Sequence, residues 1–109
     1  MDTNTRRDRI RELNDNARRL LIGARVYVTR GIAALPVDDQ ALIFSRVCSF
    51  NQFTPENDPY GEHDFGAFDH NGVHIFWKID CLYEESEVKG ADGQPAITRV
   101  LTIMLADEW

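Results

Sequence analysis

The chain has 109 residues, 43% hydrophobic and 28% charged, a globular balance that excludes wholesale disorder and fits one domain over residues 1–109. No apolar run approaches the roughly 20 residues of a membrane span, so no membrane partner is expected. The net charge of −6 is uneven: residues 1–30 hold eight Arg against four acids, and residues 31–109 hold four bases against fourteen acids, an acidic body that argues against direct nucleic-acid binding.

Met1–Thr5 is polar and has no apolar stretch of the signal-peptide kind, so a cytoplasmic protein is expected. Thr3 or Thr5 can cap a first helix running to about Leu21, with Ile10, Leu13, Ala17, Leu20 and Leu21 as its apolar stripe. Arg6, Arg7, Arg9, Arg11, Arg18 and Arg19 fill much of the remainder and read as a solvated basic face. Gly23 closes the helix.

Arg25–Arg30 alternates and is β-branched and aromatic, which predicts a strand. After Pro36 a second helix begins near Asp38, with Ala41, Phe44, Val47 and Cys48 inward and Ile43 and Phe50 widening the stripe. Cys48 and Cys81 share no metal spacing and read as buried free thiols of a reducing compartment. Residues 51–61 are a loop by composition, and Phe53 and Tyr60 suggest that it folds back on the body.

Asn71-Gly72 between alternating segments predicts a hairpin over Phe65–Asp80. A two-residue turn pairs His70 with Val73, Phe68 with Ile75, Gly66 with Trp77 and Asp64 with Ile79. On the other face Asp69 meets His74, Ala67 meets Phe76, Phe65 meets Lys78 and His63 meets Asp80. Gly66 leaves room for the Trp77 indole. His70 and His74, near the turn, read as exposed. Residues 84–93 form a polar, glycine-containing loop, and Ile97–Ala106 is apolar on both faces, as a central strand should be. Arg99 beside that run calls for a carboxylate partner. The expected fold is α+β, two helices on a mostly antiparallel sheet of about four strands.

Several blocks carry a resemblance: Glu12–Asp15, Thr29–Leu35, Asn57–Gly66, Phe76–Asp80 and Thr98–Ala106. With them the chain resembles a family of small alphaproteobacterial proteins catalogued as a domain of unknown function. Asn57-Asp58-Pro59-Tyr60-Gly61-Glu62-His63-Asp64-Phe65-Gly66 is its most specific block. Cys81-Leu82-Tyr83 departs from the Tyr-Tyr-Asp common in the family, and Trp109 stands where Tyr is common. The resemblance implies a bacterial cytoplasmic protein, often carried on plasmids and other mobile elements, and supplies no catalytic residue.

The residues themselves offer two readings of that block. In one, Asp58, Tyr60, Glu62, His63 and Asp64 form a binding loop braced by hydrogen bonds, in a non-enzymatic interaction protein without a cofactor. Its partner would be a protein with a basic surface, by analogy with inhibitors of restriction or CRISPR machinery. In the other, a metal-dependent hydrolase or nuclease holds a divalent ion on His63, Asp64 and Asp80, with His63, Lys78 and Asp80 catalytic. The spacing matches no established metal motif, and ion-pair networks imitate active sites, which favours the first reading. A homodimer through a sheet face is compatible with both.

Overall fold

The computed structural model describes residues 3–83 and 97–109; the polar loop expected at 84–93 lies outside them. Helix α1 spans Thr3–Leu20, strand β1 Ala24–Val28, the short helix α2 Arg30–Ala33 and helix α3 Val37–Ser49. Strands β2 (Phe65–His70), β3 (Val73–Tyr83) and β4 (Ile97–Leu105) follow, and a 3-10 turn covers Ala106–Glu108. The fold is α+β, and the sheet order is β1-β4-β3-β2.

Only the β1–β4 pair is parallel; β3 runs antiparallel to both β4 and β2. The hairpin register is the one the Asn-Gly turn dictates, from His70 opposite Val73 to Phe65 opposite Lys78. Asn71 and Gly72 both take positive φ, 50° and 81°, as a type I′ turn requires. The last two expected pairs, Asp64 with Ile79 and His63 with Asp80, are absent from the ladder. Ile79 N donates to Asp64 O at 2.9 Å, but the ladder ends at Phe65, and His63 turns away at φ 56°.

Period two then sorts the sheet into two faces. Ile75, Trp77, Ile79, Leu101 and Ile103 line the inner one and form the core with Ile32, Ile43, Val47 and Phe50. α1 and α3 pack on this side. The inner face of α1 differs from the expected stripe: Asn14, Ala17 and Arg18 are buried, while Leu20 and Leu21 are 65% and 42% exposed. Arg18 therefore does not belong to the solvated basic face. Its Nη1 donates to the carbonyls of Val47 (2.9 Å), Cys48 (3.1 Å) and Phe50 (2.8 Å), and its Nη2 to Asp15 Oδ1 at 3.2 Å. The carbonyls at a helix C-terminus lack intrahelical donors and attract positive charge, so Arg18 is the C-terminal cap of α3.

The outer face carries Phe65, Phe76, Lys78, Asp80, Thr102 and Met104. Trp109 lies over part of it, edge-on to Phe65 and Phe76 at 5.4 and 5.8 Å between ring centroids. A carboxylate anchors this end of the chain. Glu108 accepts from Thr29 Oγ1 (2.5 Å), Leu105 N (2.9 Å) and Gly31 N (3.0 Å). The Thr29 hydroxyl, then the Leu105 amide and, to a lesser degree, the Gly31 amide hold its carboxyl below the ordinary value against an opposing desolvation. A Cβ on Gly31 would sit 2.5 Å from Leu105 Cδ1 and 2.6 Å from Glu108 Oε1, so a larger residue there would push these side-chain ends out of their present places.

Both cysteines are free. Cys48 is half-buried, and burial pushes its thiol up. Cys81 is exposed instead of buried; it lies near the end of β3, opposite Arg99. His74 is exposed as expected and bonds Asp69. His70 is not: its side chain is 11% exposed, with Nε2 2.9 Å from Asp39 Oδ1, tying the hairpin tip to the first turn of α3. Among the described residues no helix is long and apolar enough to cross a membrane.

Candidate functional site

The Asn57–Gly66 block builds itself from short polar side chains. Asn57 Oδ1 accepts from Thr54 N at 2.9 Å, and its Nδ2 donates to Gln52 O at 3.0 Å. Asp58-Pro59-Tyr60-Gly61 closes as a turn through Gly61 N to Asp58 O, 3.1 Å, with Gly61 at φ 67°. The Asp58 carboxylate is nearly buried, and its Oδ1 accepts the amides of Glu62 (3.1 Å) and His63 (3.2 Å). Those two bonds hold the chain where His63 must take a left-handed conformation, uncommon for a residue with a side chain.

α1 then clasps the loop from behind. Asn14 Nδ2 donates to Glu62 O at 2.9 Å, and Asn14 Oδ1 accepts from Arg99 Nε at 2.8 Å. Arg99 was expected to meet a carboxylate; the group facing it on α1 is this amide oxygen. His63 Nδ1 lies 2.9 Å from Asp15 Oδ1, and its Nε2 3.7 Å from Asp58 Oδ2. The imidazole stacks on Phe53 at 3.7 Å, within 5° of parallel. Arg18 extends the assembly inward, with its guanidinium carbon 5.5 Å from the Phe53 ring centroid and 5.1 Å from Trp77's. Burial lowers the guanidinium from its ordinary value, while the Asp15 hydrogen bond and charge raise it. Arg18 Nε and Trp77 Nε1 are buried without a hydrogen-bond partner among the described residues.

The sequence-derived candidates fall into three places. Asp58, His63 and the Glu62 backbone belong to the clasp. Lys78 and Asp80 pair with each other at 3.1 Å on the outer face of the sheet, their side chains 39% and 59% exposed. Asp64 lies between: desolvation raises its carboxyl first, its own backbone amide opposes that, and the Asp58 and Asp80 charges add to the rise. Tyr60 does not fold back on the body; it is 77% exposed. The expected opposition of His63 and Asp80 fails because His63 has left the strand for α1. Among the described residues no three His, Cys, Asp or Glu side chains are placed to hold a metal ion. Asn14, Asp15 and Phe53 complete the clasp without having been singled out as site residues, although Asn14-Asp15 stood in a resemblance block.

The strained ionisation of Asp64 predicts a pH effect. A carboxyl whose folded pKa is raised favours the protonated folded state, so stability falls as pH rises from the unfolded value, about 3.9, through the folded one. Asp64→Asn removes that loss and keeps an oxygen for the backbone amide. Its melting temperature should exceed wild type at pH 7, with the gap closing as pH falls below 4. A gap that stays constant with pH would show that Asp64 is not ionised against resistance.

No curated protein and no solved structure matches the chain. A family model does match, over residues 28–108, which takes in β2 to β4, the clasped loop and the Gly31–Glu108 anchor but leaves α1 outside. The chain belongs to the family described as Protein of unknown function (DUF3768).

Proposed function

We propose that this is a non-enzymatic interaction protein of the bacterial cytoplasm, whose 57–66 loop docks a protein partner with a basic surface. The observation that carries the reading is the contrast within the loop. Asp58 is spent on the backbone amides of Glu62 and His63, and His63 on Asp15 of α1 and on Phe53, while Tyr60 projects into solvent at 77% exposure. A rigid loop presenting an aromatic side chain loses little entropy on binding, and aromatic anchors dominate many interfaces. The fourteen acids of residues 31–109 supply the long-range complement to a basic partner. A nucleic-acid-handling protein fits that chemistry, in the manner of an inhibitor that covers a phosphate-binding surface.

Capture from a native lysate tests this with two baits. Wild type is expected to retain a basic, nucleic-acid-handling protein, and Tyr60→Ala to lose it at an unchanged melting temperature. Recovery of no such protein, or equal recovery by both baits, overturns the reading. The metal-dependent hydrolase reading has one observation in its favour, the mutual repulsion that Asp58 and Asp80 exert on Asp64, which a divalent ion would relieve. Thermal scans of wild type and Asp64→Asn with Mn²⁺ decide it. A rise for wild type alone would bring that reading forward, and no rise for either would remove it.

A further inference from the structure

The four-stranded sheet has two edges, and they differ. At β2 the two-residue turn puts His70, Phe68 and Gly66 in hydrogen-bonded pairs with β3, so Phe65, Ala67 and Asp69 aim their amides and carbonyls outward. That edge is guarded. Arg46 Nη1 crosses it to the Asp69 carbonyl, and the Arg46 guanidinium lies over the Phe68 ring. At β1 the parity follows from two bonds to β4, Arg99 N to Gly23 O at 2.9 Å and Thr29 N to Ile103 O at 3.1 Å. The backbone groups of Arg25 and Tyr27, between them, face β4 as well, which turns those of Ala24, Val26 and Val28 to the open side. Among the described residues nothing is bonded to these outward groups. Tyr27 and Val28, on opposite faces of the strand, are 53% and 45% exposed, so the open edge has an accessible apolar flank on each side.

We infer that β1 is a docking edge for an extended, acidic segment of a partner protein, which adds a fifth strand to the sheet. The backbone chemistry fixes the occupant's conformation. Donors and acceptors repeating at strand spacing are matched by another extended backbone, whose side chains meet Tyr27 on one face and Val28 on the other. Charge fixes its composition. No acid occurs from Asn16 to Val37, and Arg19 and Arg30, on either side of β1 in the chain, are exposed. Glu108 comes up beside Thr29, but its carboxylate is held by the Thr29 hydroxyl and the Leu105 and Gly31 amides. The stretch is therefore basic and apolar in a chain of net charge −6, and acids on the incoming strand complement it. A second copy of β1 would set the same arginines against one another. β1 lies at the opposite edge of the sheet from β2, into which the 57–66 loop runs, so this inference does not depend on the docking proposed for that loop.

Peptide binding to the full chain tests this, with fluorescence anisotropy as the first readout. The probe is a synthetic peptide of alternating Glu and Val, long enough to span β1. It should bind, and its Lys-Val counterpart should bind about tenfold more weakly or worse. The Glu-Val peptide with every backbone amide N-methylated keeps its charge, cannot donate, and should not bind. With the Glu-Val peptide at saturation, amide hydrogen exchange should slow at Val26 and Val28 and stay unchanged at Thr29, which is already bonded to Ile103. Val28→Pro removes an outward donor and leaves the bonds to β4, so it should lose the peptide while the Thr29 amide keeps its protection. No binding of the Glu-Val peptide overturns the inference. So does equal binding of the Lys-Val or the N-methylated peptide, slowed exchange that omits Val26 and Val28, or unchanged binding by a folded Val28→Pro. A wild type that sediments as a dimer and returns to 12.5 kDa in Val28→Pro makes a second copy the occupant and overturns it too.

Discussion

Arg18→Leu is expected to destabilise the protein by about 3–5 kcal/mol, the usual cost of breaking a buried, hydrogen-bonded charge, against a total of about 5–15 kcal/mol for a domain. The residue is 2% exposed, and its guanidinium serves the carbonyls of Val47, Cys48 and Phe50 at the end of α3. Leucine fills part of the volume but leaves those carbonyls without this donor, inside a wall made by Phe53 and Trp77. It also takes from Asp15 the cation it shares with His63. Three to five kcal/mol corresponds to a fall in melting temperature of about 12 °C or more in a domain of this size. Arg19→Leu is the internal control, since Arg19 neighbours Arg18 in α1 but is exposed, and it should change stability by no more than about 0.5 kcal/mol. Thermal melts of the two variants within a few degrees of each other would remove Arg18 from the role of cap.

That pair of arginines also marks where the sequence ceased to be legible. Six arginines on one helix look like a solvated face, because nothing local distinguishes Arg18 from Arg19. What separates them is the C-terminus of α3, some thirty residues away, which a periodicity argument does not see. The same blindness placed Leu20 and Leu21 in the stripe, although the inward positions are Asn14, Ala17 and Arg18. Elements with local rules were legible. Asn71-Gly72 specified the hairpin register, alternation identified β1, and a run apolar on both faces identified β4, though not that β1 and β4 pair in parallel. The candidate site was legible in composition but not in geometry. Asp58 and His63 are tightly bonded in the loop, yet the step from strand to clasp at His63 depends on two amides closing on Asp58 and on a ring stacking with Phe53.

The second large effect is expected at Gly66, which is one of the clearest matches between a sequence pattern and a packing requirement. Gly66 lies opposite Trp77 in the β2–β3 ladder, and Trp77 is fully buried at the centre of the core. Its φ is not in the left-handed region, so alanine fits the backbone and any cost is steric. That cost is direct: a Cβ would stand 2.5 Å from Trp77 Cε2 and 2.7 Å from Cζ2, with Nε1 also closer than contact distance. The indole has little room to withdraw, since Phe50 and Phe53 meet it edge-on at 5.6 and 6.1 Å between centroids and Arg18 covers its ring. Overpacking of this kind costs about 1–3 kcal/mol or more, and Gly66→Val should exceed Gly66→Ala. A double-mutant cycle isolates the clash from the loss of core volume. Trp77→Leu alone should be destabilising, because it opens a cavity. In its presence Gly66→Ala should cost far less than in wild type, giving a coupling of about 1 kcal/mol or more. Additive effects in denaturant unfolding would mean that Gly66 is required for some reason other than the indole. Coupling of the expected sign would place the Gly66–Trp77 contact, together with the Arg18 cap above it, as the joint that fixes the hairpin to the helices and thereby holds the 57–66 loop against α1.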